Sequence, residues 1–337
     1  MQNKAIVFTD VRKAEFLEQE ISETAIPSGN VLIETIYSLI SAGTETACFR
    51  GVEIWFKLPR TPGYSCVGRV IGKADDVTDL EVGDLIFCRG QHQKYQYVDL
   101  KSNYCKLPEG IDLRYAPFAR MFAIAFTSIR MSKIELGDDV LVVGLGLIGN
   151  GAAQLAQLQG ANVAAMDLSD DRIALAKTCG IRRAINSGES PDMTARILEQ
   201  LDGRKPSTVI DATGVPKVID KAIDYVAPDG RLILLGSPRG DTEGNITHFQ
   251  QHIHRFLHRV EVIGAHEQMC PAKQMPYVKH SCERNERICL ELLRDGRLTA
   301  APLLTHMVDP ADAQAVYTEL DRGNPDYVGV LFDWRKQ

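Results

Sequence analysis

The sequence has no C-x-x-C pair. Its eight cysteines, Cys48, Cys66, Cys88, Cys105, Cys179, Cys270, Cys282 and Cys289, stand apart, which argues against a zinc knuckle or a thioredoxin-like redox pair. Such residues in a reducing compartment act as small buried hydrophobes. There is no excess of positive charge either. Thirty-eight lysines and arginines against 44 acidic residues leave a net charge of −6, whereas a phosphate backbone or an anionic membrane requires a basic face. No nucleic-acid or membrane partner is expected. No apolar run approaches the ~18–20 residues that cross a bilayer. The N-terminus, MQNKAIVFTD, lacks the positive-then-apolar layout of a signal peptide, so the chain reads as cytoplasmic. Internal repeats and low-complexity segments are also absent.

What remains is a 337-residue chain with 45% hydrophobic and 24% charged residues, an ordinary soluble composition and a length that suits two domains. Residues 1–115 carry short β-prone runs at 4–8, 30–39, 67–72 and 85–88, punctuated by glycine and proline as in TPGYS and LPEG. They predict a compact, mostly antiparallel β domain. From residue 116 the rhythm changes, and apolar strands at 140–143, 162–167, 183–186, 208–211, 231–235 and 260–264 alternate with helical stretches. That alternation predicts an α/β, doubly wound parallel sheet over 116–265, with its ligand at the carboxyl ends of the strands. A helix near 285–295 and a strand near 328–334 suggest that 266–337 returns to the first domain. The reaction site is then expected in a cleft between the two.

The strongest motif is Gly144-Leu145-Gly146-Leu147-Ile148-Gly149, which follows the apolar strand 139–143 and opens a helix placed at 150–159. Gly144 permits the tight turn, Gly146 admits a pyrophosphate to the backbone, and Gly149 lets helix and strand pack closely. The helix start, with Leu147 and Ile148, offers free N–H groups to phosphates. Asp167 lies ~20 residues past the glycines, where a carboxylate accepts from both ribose hydroxyls and repels a 2′-phosphate, favouring NAD over NADP. The plainer reading there is a solvated helix start, since Asp170 and Asp171 also suit a first turn. Arg172 lies where it can face adenine or a phosphate. Thr213, Gly236 and Ser237 put small residues at two further strand ends, and His266 follows the last sheet strand as a further cofactor-contact candidate.

With these motifs placed, the chain resembles the medium-chain dehydrogenase/reductase superfamily over essentially its whole length. The likeness rests on Gly43-Thr44-Glu45, Pro62-Gly63-Tyr64, residues 68–72, Val82-Gly83-Asp84, the glycine turn and residues 167–172. It implies a Rossmann doubly wound sheet inserted into a GroES-like, mainly β catalytic domain. It also implies NAD(P)-linked chemistry on alcohols, carbonyls or activated double bonds, and a homodimer or homotetramer. Zinc members of the family place a cysteine before the Gly-Thr/Ser-Asp triplet, a His-Glu pair after the Pro-Gly, and often a carboxylate at the start of the linking helix. Here these positions hold Ala42, Tyr64-Ser65 and Arg120. Alanine has no donor atom, tyrosine is a rare ligand, and arginine repels a cation. The four-cysteine lobe is absent too, with only Cys88 in that region. The expectation is a branch without zinc at either site, similar to bacteriochlorophyllide hydroxyethyl dehydrogenases and polyol or sugar dehydrogenases.

A metal-free site needs its own donors and a base. Thr44 matches the hydroxyl that relays the proton in relatives. Tyr64 is either a donor to the substrate oxygen or an aromatic plug, and Arg120 either steadies an oxyanion or packs the helix surface. Glu45 replaces an aspartate that pairs with a cation near the chain end, but the matching segment 327–330 has no such cation. Glu45 is therefore read as a base lacking its partner, or as the partner of another arginine. His92 is a candidate to bind substrate or shuttle a proton. His248, His252, His254 and His258 contain two i,i+4 pairs but no carboxylate within the stretch, and are read as a solvated or interface face. The expected function is zinc-independent hydride transfer between NAD and a secondary alcohol or ketone of a polyol, sugar derivative or similar polar substrate. The alternatives are a metal-free enone or quinone reductase and a catalytically silent NAD-binding protein.

Overall fold

The computed structural model describes residues 1–102, 104–189 and 192–337. The chain opens with β1 (Gln2–Asp10), β2 (Lys13–Glu20), β3 (Asn30–Leu39), α1 (Ala42–Phe49), β4 (Cys66–Lys73), β5 (Leu85–Cys88), β6 (Tyr95–Asp99) and β7 (Tyr104–Lys106). The long helix α2 (Phe118–Ser132) leads to β8 (Asp139–Val143), α3 (Leu147–Leu158), β9 (Asn162–Asp167), α4 (Asp170–Thr178), β10 (Arg183–Asn186) and α5 (Met193–Gln200). Next come β11 (Thr208–Asp211), α6 (Pro216–Ala222), β12 (Arg231–Leu234), α7 (Ile246–His254) and β13 (Glu261–Gly264). The chain closes with α8 (Cys282–Arg294), β14 (Leu304–Val308), α9 (Ala313–Arg322) and β15 (Gly329–Asp333). Two compact units result, Met1–Arg120 with Pro271–Gln337, and Met121–Cys270. Among the described residues no helix is long and apolar enough to cross a membrane.

The first unit is organised around β3. It pairs antiparallel with β4, β6 and β15 in a seven-stranded sheet in which only β14 and β15 run parallel. Val31, Leu32, Ile33 and Leu39 of this strand are fully or almost fully buried, so the sheet's central strand is held by the core on its own apolar residues. A second core gathers Phe8, Phe49, Tyr317, Phe332 and Trp334. Within it the Tyr317 ring stands edge-on to Phe8 at 4.7 Å and stacked on Phe49 at 5.6 Å, arrangements that add to simple burial. Helix periodicity then decides which polar groups turn inward. The short α1 is buried at every position from Glu45 to Phe49, with Cys48 and Phe49 one turn on from Glu45. In α8, Cys282, Asn285, Glu286, Cys289 and Leu290 share the buried face. The three- and four-residue spacing puts each acid among hydrophobes.

The second unit is a six-stranded parallel sheet in the order β10-β9-β8-β11-β12-β13. The order reverses between β8 and β11, the switch point where doubly wound sheets bind ligands. Val140, Leu141 and Val142 are completely buried, as a sheet covered on both faces demands. The expected helix start at 150 is corrected to Leu147. Gly146, extended at φ −64° and ψ −175°, acts as the cap, so the first helical turn already contains Leu147, Ile148 and Gly149.

Candidate active site

The glycine turn is built by backbone geometry. Gly144 has φ +90°, a conformation that side chains resist, and its N–H donates to the Met166 carbonyl at 2.8 Å. A Cβ on Gly149 would lie 1.8 Å from the Gly144 carbonyl oxygen, whereas one on Gly146 would meet nothing within 4 Å. The turn is closed behind and open in front, over the N-terminus of α3, the kind of helix start whose free N–H groups suit an anion. Leu147 is buried and Ile148 half-buried. Asp167 ends β9, the neighbouring strand. Its two oxygens accept from the N–H groups of Leu145 at 2.7 Å and Ser169 at 2.9 Å. Two of its lone-pair positions remain for ribose hydroxyls. The Arg172 guanidinium stands 3.9 Å from the same carboxylate, and Asp170 and Asp171 do occupy the first turn of α4, capped by Ser169.

At the end of β11, Asp211 is completely buried. It accepts from the Thr213 hydroxyl at 2.6 Å and the Gly214 N–H at 3.0 Å, and burial pushes its carboxyl above the ordinary aspartate value. Asp211 thus shapes the loop carrying Thr213. The reading from sequence saw only the small residues there, although an aspartate followed by Thr-Gly is a loop-closing signal. The Gly236 N–H donates to the Asp211 carbonyl at 2.9 Å, and Ser237 beside it is exposed. His266 is exposed as well, and its ring accepts from the Gln268 N–H at 3.3 Å as the cap of a short turn.

In the first unit the catalytic candidates fall into two connected clusters. Glu45 is almost fully buried and is not without partners. It accepts from the Ser41 N–H at 2.8 Å, the Tyr317 hydroxyl at 2.6 Å and His92 Nε2 at 2.8 Å. Both expectations for Glu45 are corrected: its partners come from α9 and the loop before β6, and none of these three is an arginine. His92 is also corrected. It has no exposed surface, and its Nδ1 bonds the Ser38 hydroxyl at 2.7 Å, which accepts in turn from Trp334 Nε1 at 2.8 Å. The Glu45 carboxylate can only accept, so Nε2–H donates to it, and in the neutral ring Nδ1 then accepts from the Ser38 hydroxyl. Every polar atom of this histidine is spent inside the core, so it positions Glu45 and does not reach substrate. Burial and the adjacent Glu45 charge raise the Tyr317 phenol well above the usual tyrosine value.

The second cluster is more open. The Tyr64 hydroxyl donates to Ser41 Oγ. Both Tyr64 and Thr44 are half-buried. Desolvation holds the Tyr64 phenol above the ordinary tyrosine range, against the opposite pull of Ser41 and Thr44. Arg120 is buried, so the surface reading fails. Its guanidinium lies 5.3 Å from the Tyr64 ring centroid and 3.4 Å from Glu286, which also binds Arg89 at 2.9 Å. Ser65 is fully buried and donates to the Pro117 carbonyl at 2.6 Å. A methyl at Ala42, the phenol of Tyr64 and an ion-paired guanidinium do not fit a zinc ion. Sequence reasoning missed Ser41, Glu286, Tyr317 and Trp334. Only an acid on the apolar face of a helix, at Glu286, marked any of them in advance.

Residues 148–275 match a family model described as a zinc-binding dehydrogenase. L-galactonate-5-dehydrogenase of Escherichia coli is 25% identical over 84% of this chain and 86% of its own length. Sorbitol dehydrogenase of Halalkalibacterium halodurans is 25% identical over 95% and 96%. Among solved structures, galactitol-1-phosphate dehydrogenase from Escherichia coli superposes with a TM-score of 0.83 at 22% identity, covering 98% of this chain and 99% of the other. The fold is that of the medium-chain alcohol dehydrogenases. In sequence the chain is similar to zinc-type alcohol and polyol dehydrogenases.

Proposed function

We propose that this chain is a zinc-independent oxidoreductase that moves a hydride between NAD and a secondary alcohol or ketone of a polyol, sugar derivative or similarly polar substrate, working as a homodimer or homotetramer. The observation that carries the reading is the Arg120–Tyr64 pair, a cation stacked on a hydroxyl-bearing ring at positions where zinc relatives carry metal ligands. Two sequence relatives, acting by name on L-galactonate and sorbitol, support a polyhydroxylated substrate. Asp167 supports NAD, since its charge opposes a 2′-phosphate.

When bound, NAD supplies the hydride acceptor for the carbinol carbon. This chain's residues handle the proton. Tyr64 takes the hydroxyl proton of the alcohol as it passes its own to Ser41 Oγ, and Ser41 in turn releases its hydroxyl proton to water, with Thr44 alongside. In the reverse direction Tyr64 donates to the carbonyl oxygen. Glu286 tempers Arg120, so the guanidinium acts by its field on the Tyr64 oxygen. Glu45 and His92 hold Ser41 in place from behind.

The test is NADH formation with a panel of polyols and sugar alcohols, with and without a chelator. Turnover that survives chelation supports the reading. Activity lost on chelation and restored by zinc overturns it. Turnover confined to enones or quinones favours the reductase alternative, and cofactor binding without any turnover favours the silent protein.

A further inference from the structure

The histidines of α7 were read as lacking a carboxylate, and the fold supplies one. Asp224 sits in the turn Ile223–Tyr225 that follows α6. Its Oδ1 lies 3.1 Å from His248 Nε2 and 3.5 Å from His252 Nε2. Among the described residues these three side chains are the one group of histidine, cysteine or acid whose ligand atoms all lie within 4.8 Å of one another. A tetrahedral zinc-class ion, with bonds of about 2.0–2.2 Å, spaces its ligand atoms roughly 3.3 Å apart. Two edges of such a site are already in place.

Two further observations point to a cation. His252 Nδ1 lies 3.1 Å from the His248 carbonyl, which can only accept, so Nδ1 carries the hydrogen. In the neutral ring Nε2 is then a bare lone pair aimed at a carboxylate oxygen. Two acceptors then face each other, and either a proton or a metal cation belongs between them. A backbone carbonyl holding the far nitrogen is also how metal-ligating imidazoles are oriented. Second, α7 has nine residues and none is fully buried, although Phe249 leans on the unit's core. So short a helix is marginal without an attachment. The nearby lysines leave Oδ1 free: Lys221 donates to the other oxygen, Oδ2, at 2.7 Å, and Lys205 to the Asp224 backbone carbonyl at 3.1 Å. The His258 ring lies 4.6 Å from that of His252.

We propose that Asp224, His248 and His252 bind one divalent ion of the zinc class, fastening α7 to the turn after α6, on residues that play no part in hydride transfer. Metal-stripped full-length protein is titrated with Zn²⁺ by calorimetry and with Co²⁺ by visible absorption. The expected result is one equivalent bound, with the absorption of four-coordinate cobalt and no thiolate charge-transfer band. The double variant His248→Ala/His252→Ala and the single variant Asp224→Ala each bind at least about 100-fold more weakly. Thermal melts of the metal-free proteins confirm that the variants fold, and added Zn²⁺ raises the Tm of the parent only. Equal affinity in parent and double variant, a cobalt spectrum of thiolate character, or no binding at micromolar metal overturns the proposal.

Discussion

Two clusters in this molecule join a carboxylate to histidine, and they behave oppositely because one is sealed and the other is not. Around Glu45, burial is nearly complete, and the carboxylate meets a backbone N–H, a phenol and an imidazole N–H, each within 2.8 Å. A low-dielectric interior tolerates a charge only when its acceptors are matched in this way. Around Asp224, exposure is intermediate, and one oxygen is shared between two imidazole nitrogens while solvent pays part of the cost. Donor matching is left incomplete there. The same chemical groups make a sealed brace in one place and a half-exposed cluster in the other.

The largest way to break the comparison is Glu45→Ala. It strands three buried donors and should lower unfolding free energy by about 3–5 kcal/mol in urea titrations. A loss below about 1 kcal/mol would show that the sealed network is slack. Next comes Tyr64→Phe, which keeps the ring beneath Arg120 and removes the hydroxyl. It should cut kcat about 10²–10³-fold with little change in KM, and an unchanged kcat would exclude Tyr64 from proton transfer. The pH dependence carries a sign: desolvation lifts the Tyr64 phenol above the ordinary tyrosine range, so carbonyl reduction, which needs the protonated form, holds level through neutral and mildly alkaline pH and falls only in strong alkali. Asp167→Ala should weaken NADH binding about 10–100-fold, the worth of hydrogen bonds to a charge, and narrow the preference over NADPH in fluorescence titrations. The smallest effect belongs to Asp224→Ala in metal-free protein, under about 1 kcal/mol in the same urea titrations, as for other exposed pairs. A loss as large as that for Glu45 would erase the distinction.

The sheet of the second unit and its glycine turn were legible in the chain because their determinants are local. Strand, turn and helix lie within residues 139–158, and Asp167 follows at the next strand end. The first unit was less legible. Helix α9 and strand β14 were not anticipated, and with α9 went Tyr317, which meets Glu45 across 272 positions of sequence. Arg120 was placed at the cluster, but its neutralising partner Glu286, 166 residues away, was not. Neither was Asp224, the acid that completes the histidine pair.

By itself, the sequence determined the alternation of strands and helices, the glycine turn between β8 and α3, and the presence of Ala42, Tyr64 and Arg120 in place of side chains that bind zinc well, because periodicity, glycine and donor chemistry act over a few residues. Only the tertiary structure decided which charges are matched, that His92 braces Glu45 and that Asp224 joins His248 and His252. Those outcomes depend on burial and on contacts between distant segments, and neither quantity exists until the chain has folded.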